Sequence, residues 1–139
     1  MLTRKYLSSL AAVTVVLAVL APAARAQFAK LKNTTPEMRA KVQTELMKAK
    51  MQLNPAQESQ VAALNLKYAQ KMEPLIQGSQ GPFMEMREAR EINEEKEAEL
   101  KKIVSKEQFE AYLAGKEELR EKFEQKIEEK LQQKGGGGQ

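Results

Sequence analysis

Leu53-Asn54-Pro55-Ala56-Gln57 and Val104-Ser105-Lys106-Glu107-Gln108 are the two stretches on which the reading of this chain turns. Each sets a short polar residue, Asn54 or Ser105, three positions ahead of a glutamine. In a capping box the first side chain accepts a hydrogen bond from the N–H of the third helical residue, and the glutamine reaches back to the cap's own N–H. Pro55 suits the first helical position, where an N–H has no partner to lose. Leu53 and Val104 precede the caps, and Val104 is placed to staple onto Phe109 across the first turn. Two helix starts inside the chain imply helices before and after each of them.

Outward from the first box, Thr34-Thr35-Pro36-Glu37 reads as an earlier helix start with a hydroxyl cap, a first-turn proline and a glutamate at the positive end of the dipole. Met38, Val42, Leu46, Ala49 and Leu53 then recur at intervals of three or four, one stripe of a helix ending near Gln52. After the box, Val61, Leu64, Tyr68, Met72 and Leu75 form a second stripe. Pro74 lacks the amide hydrogen and is expected to kink or end that helix around Lys71 to Glu73. Gly78-Ser79-Gln80-Gly81-Pro82 is a turn.

A third helix is predicted from about Phe83 to Ile103, marked by Met86, Ala89, Ile92, Leu100 and Ile103. A fourth is predicted from Lys106 to Gln133 on Phe109, Tyr112, Leu113, Leu119, Phe123, Ile127 and Leu131, with Glu118 and Lys122 as an oriented pair. That fourth helix would be roughly 40 Å long, more than a compact domain of this size needs. The expected fold class is therefore all-α: about four helices arranged as long hairpins in an open, cradle-like or dimeric assembly. Residues 34–133 form the single helical domain, 27–33 a flexible arm and 134–139 a disordered Gly-rich tail.

The first 26 residues read as a cleaved signal peptide. Arg4 and Lys5 supply the basic start, Leu10 to Ala21 the apolar stretch, and Ala24-Arg25-Ala26 the small-x-small cleavage site. The apolar stretch falls short of the ~20 residues that span a bilayer, which argues against a transmembrane anchor. A lipoprotein would need a cysteine at the cleavage point, and the chain has none. Exported chains below about 80 residues usually rely on disulfides, whereas the expected mature length of 113 residues (139 less 26) can sustain one domain without them.

Removing Arg4, Lys5 and Arg25 lowers the formal charge from +4 to +1, so the basic isoelectric point does not argue for nucleic acid and none is expected as a partner. The remainder is uneven. Residues 27–80 carry eight Lys or Arg against four Glu, and residues 81–139 carry twelve against fifteen. Such asymmetry fits either antiparallel pairing of two chains or one basic face for anionic partners, and equally a set of solvated helix faces.

Histidine, cysteine and aspartate are all absent, which removes the Ser-His-Asp and Cys-His sets, the HExxH zinc site and thiolate cages. No enzyme activity and no cofactor are expected. Glu94 and Glu95 are neighbours on a helix and point apart, and Gly135 to Gly138 has no strand before it or helix after it, so neither serves as an acid–base pair or a phosphate loop. The Met84-x-Met86 and Met47-x-x-x-Met51 pairs offer thioethers to soft cuprous ions, or simply fill gaps in a core.

The two boxes resemble the paired L-T-x-x-Q motifs of the Spy/CpxP family of periplasmic proteins, with Asn54 and Ser105 in the threonine places and Val104 for the second leucine. The resemblance implies a cradle-shaped helical dimer that works as an ATP-independent chaperone in the periplasm, holding unfolded or aggregation-prone envelope proteins by surface contact. Relatives that modulate envelope stress imply an alternative, a stress or metal sensor acting through a membrane-bound partner; a structural envelope protein is the third reading. On the first helix, Met38, Met47 and Met51 with Lys41 and Lys48 are the candidate client-binding residues, flexible thioethers beside cations.

Overall fold

The computed structural model describes residues 26, 28–78 and 80–136. The expected signal peptide lies outside the described residues, as does the end of the Gly-rich tail. Where a loose arm was expected, residues 28–31 form a helical turn, and the Thr34 hydroxyl donates to the Leu31 carbonyl at 2.6 Å.

Five helices follow: α1 Pro36–Met51, α2 Pro55–Gln77, α3 Pro82–Ile103, α4 Lys106–Ala114 and α5 Lys116–Gly135. Among the described residues there is no strand, and the fold is all-helical. Each start has a local cause. Thr35 Oγ1 accepts from the Met38 N–H at 3.2 Å and Pro36 takes the first position of α1. Both capping boxes form: Asn54 with Gln57 opens α2, and Ser105 with Gln108 opens α4. Gly81, at φ 91°, has no side chain with which to cap α3. Glu85 does so from within, its Oε1 accepting from the N–H groups of Gln80 (3.3 Å) and Gly81 (3.2 Å).

Two expectations are corrected. Pro74 does not end α2, which continues to Gln77 and stops at Gly78 in the left-handed region (φ 78°). The predicted fourth helix is two helices, divided at Gly115. Glycine is the weakest ordinary helix former after proline, and here a Cβ would run into Lys50 Cε of α1. The break lets α5 lie along α1 and bury Ile127 against Val42 and Leu46.

Ion pairs and hydrogen bonds give the helix directions. Arg39 meets Glu73 and Lys48 meets Glu58, so α1 and α2 run antiparallel. Lys71 with Glu95 and Lys67 with Glu99 set α2 against α3 in the same sense. Lys50 with Glu118 and Glu45 with Lys126 do so for α1 and α5. The order across the molecule is thus α3, α2, α1, α5, and Lys96 Nζ of α3 also reaches Gln43 Oε1 of α1 at 2.8 Å.

The main core joins Met47, Met51, Leu53, Val61, Leu64, Tyr68, Leu75, Ile92, Leu100 and Val104, with Phe109 and Tyr112 packed against it. Burial of that kind is worth roughly 1.5–3 kcal/mol per large side chain. A smaller cluster of Val42, Leu46 and Ile127 holds α5 to α1. Arg39, Thr44 and Asn65 are polar side chains buried between α1 and α2. Arg39 donates to Thr34 O (3.1 Å), Thr34 Oγ1 (2.9 Å) and Ala69 O (3.4 Å) and pairs with Glu73. Burial would raise the Glu73 carboxyl, but hydrogen bonds from Arg39 and Gln77 prevail and hold it below the ordinary range. Asn65 donates to Thr44 Oγ1 at 2.9 Å, while its Oδ1 has no hydrogen-bond partner among the described residues.

Candidate functional site: an apolar tip and a basic groove

Met47 and Met51, expected to face a client, are core residues at 4% and 3% exposure. The reason is that α1 is covered on two sides, by α2 and α5, so its inward arc is wider than one stripe. Met38 is half-buried against the Val42 cluster. Lys48 is exposed and paired with Glu58 at 2.7 Å. Lys41 is exposed beside a shallow depression of about 350 Å³ that also touches Ala62 and Leu66. The five candidates therefore do not form one surface, and two of them are sealed inside.

The boxes, by contrast, are brought together. Gln57 Nε2 donates to Gln108 Oε1 at 2.8 Å and Gln108 Nε2 to Gln57 Oε1 at 3.0 Å. Gln108 Nε2 also lies 3.2 Å from the Met51 carbonyl at the end of α1. Leu53 and Val104, the residues ahead of the caps, are buried in the same cluster. This is a clasp joining the α1–α2 and α3–α4 corners.

The exposed apolar surface lies elsewhere. Phe83 is 79% exposed, Met84 48% and Met86 45%, all in the first turns of α3 at the tip of the α2–α3 hairpin. Met86, predicted to lie on the buried stripe of α3, is exposed instead, and the apolar side chains of α3 that join the core begin at Ala89 and Ile92. Leu113, assigned likewise to an inward stripe, is exposed at the end of α4. Three large apolar side chains are thus exposed within four residues at the hairpin tip, and clustered exposed apolar side chains mark contact sites. The signal for it in the sequence was present in Phe83-Met84 directly after a Gly-Pro turn.

A second feature is a groove of about 190 Å³ between α1, α3 and the α4–α5 corner. Leu46, Met47, Leu119 and Phe123 supply its apolar lining, and Lys96, Lys116 and Arg120 its cations. Lys116 is paired with Glu97 at 2.5 Å, and Arg120 with Glu117. Lys96 has only the neutral Gln43 for a hydrogen-bond partner among the described residues. Burial pulls its ammonium down to about 8, against the pull of Glu97 in the other direction. Tyr112 donates to Glu97 at 3.2 Å, and burial, the Glu97 charge and that hydrogen bond together push its hydroxyl well above the usual range.

Among the described residues no three His, Cys, Asp or Glu side chains cluster as a metal site would require, and no helix is long and apolar enough to cross a membrane. Of the two methionine pairs, Met84 and Met86 are exposed and Met47 and Met51 are in the core.

The model of a family described as a domain of unknown function (DUF4890) matches residues 23–112, well over half of the chain. The chain belongs to that family. No curated protein and no solved structure matches it. The span shared with the DUF4890 family includes both capping boxes, the clasp and the apolar tip; α5, which carries one wall of the groove, lies beyond it.

Proposed function

We propose that this DUF4890 protein is an exported, ATP-independent holding chaperone of Spy/CpxP type, which adsorbs unfolded or aggregation-prone envelope proteins by surface contact. The supporting observation is the tip: Phe83, Met84 and Met86 are exposed near the α2–α3 turn instead of being folded into the core. Their chemistry suits varied clients, since thioethers adapt their shape and a phenyl ring contributes a large apolar area at low conformational cost. Contact of this kind is reversible and consumes no nucleotide. A periplasmic location, a cradle-like arrangement and a homodimer are parts of the same proposal.

The test is light scattering of an aggregating unrelated protein with and without the purified chain. Suppression near stoichiometric amounts is the expected result, and unchanged aggregation at a several-fold excess contradicts the proposal.

A further inference from the structure

We infer that the groove between α1, α3 and the α4–α5 corner is a binding site for a short monoanionic amphiphile, a straight-chain carboxylate of fatty-acid type, anchored by Lys96. Three observations carry this. The groove's apolar residues, Leu46, Met47, Leu119 and Phe123, form a surface against which an alkyl chain is taken out of water. Its charged lining is cationic throughout: Lys96, Lys116 and Arg120, with no carboxylate among the lining residues. Of these three, Lys96 alone makes no ion pair with a described residue, since Lys116 is held by Glu97 and Arg120 by Glu117.

The charge of the ligand follows from that pairing. One ammonium without a direct ion pair among the described residues matches one negative charge, whereas a phosphate dianion would have to draw a second cation out of its existing pair. A half-buried ammonium held only by a neutral amide is desolvated without an anionic hydrogen-bond partner, and a carboxylate arriving at it supplies a charge-assisted hydrogen bond. The size follows from the volume. At about 190 Å³ the groove is smaller than the ~300–1,000 Å³ of sites for drug-sized molecules, which favours a short chain over a long lipid. The site is separate from the apolar tip and does not depend on the chaperone reading.

Calorimetric titration of the purified protein with octanoate, octanol and octyltrimethylammonium tests it. Saturable octanoate binding at one site is expected, with octanol weaker by about tenfold or more and no binding of the cation. In K96M, octanoate should fall to the level of octanol, while the F83S/M84S/M86S triple variant binds octanoate as the unaltered protein does. Absence of saturable octanoate binding overturns the inference, as does octanol binding as tightly as octanoate. Loss of binding in the triple variant, which would move the site to the tip, overturns it too. Should K96M fail to fold, the octanoate–octanol comparison on the unaltered protein decides the matter alone.

Discussion

The side-chain amides of Gln57 and Gln108, 51 positions apart, donate to one another across the corner where four helices meet. Each amide oxygen simultaneously accepts from its own cap, Asn54 N–H at 3.1 Å and Ser105 N–H at 2.8 Å. The two motifs are therefore one structural unit. Loss of either glutamine should cost about 1–2 kcal/mol of stability, the capping arm and the cross-clasp together. Urea unfolding of Q57A, Q108A and the double variant measures this. The double variant should be less destabilised than the sum of the singles by about 1 kcal/mol; strict additivity would show the two boxes to be independent.

Asn65 is fully buried and its Oδ1 is unpartnered among the described residues, so it is expected to be a cost rather than an asset. N65L replaces it with an apolar group of similar size, and Thr44 keeps its bond to the Ala40 carbonyl at 2.8 Å. The variant should be neutral to about 1 kcal/mol more stable by thermal or urea unfolding. A loss of 2 kcal/mol or more would show that the Asn65–Thr44 bond dominates.

Gly115 and Lys50 should be coupled. In G115A the new methyl displaces Lys50, which also pairs with Glu118 at 2.7 Å, and the variant should lose about 1 kcal/mol despite alanine's better helix propensity. In a K50A background the same change should be neutral or stabilising. Equal effects in both backgrounds, read from urea midpoints, would contradict this account of the break.

Lys96 makes stability depend on alkaline pH. Its ammonium titrates near 8 in the folded chain against 10.5 unfolded. Below pH 8 it is charged in both states and the full cost of its burial is present. Between those values the unfolded state binds the extra proton, so stability rises with pH. K96M should therefore be more stable than the unaltered chain at pH 7 by about 1 kcal/mol, discounted for the side chain's partial contact with solvent, with the gap closing towards pH 10. A gap constant across that range would exclude the mechanism.

Glu118 shares the direction of that pH dependence but stabilises the fold at neutral pH where Lys96 costs it. Hydrogen bonds from Lys122 and Lys50 hold its carboxyl at about 2. Its support for the α1–α5 contact is present above the ordinary carboxylate range and is lost as pH falls towards 2. Tryptic cleavage in α5 should accelerate at pH 7 in E118Q relative to the unaltered chain; unchanged protection would show that Ile127 and its neighbours hold α5 alone.

The helix starts could be read from sequence because capping is local: cap, proline and glutamine lie within four residues. The pairing of Gln57 with Gln108 could not, since it depends on how α1 to α4 turn. Gly115 was passed over because a lone glycine in a helical pattern is tolerated until a neighbour such as Lys50 exploits the missing side chain. Met47 and Met51 were misplaced because a stripe gives the direction of one buried arc, and α1 has two covering helices. Arg39 gave no signal, as its burial rests on Thr34, Ala69 and Glu73, brought together only by folding.

The central claim, that the apolar tip holds unfolded clients, is tested most directly by comparing the unaltered chain with F83S/M84S/M86S in the scattering assay, with helicity and melting temperature matched. The account predicts strong suppression by the first and loss of most of it in the second. Equal suppression by both, at equal fold stability, would contradict it.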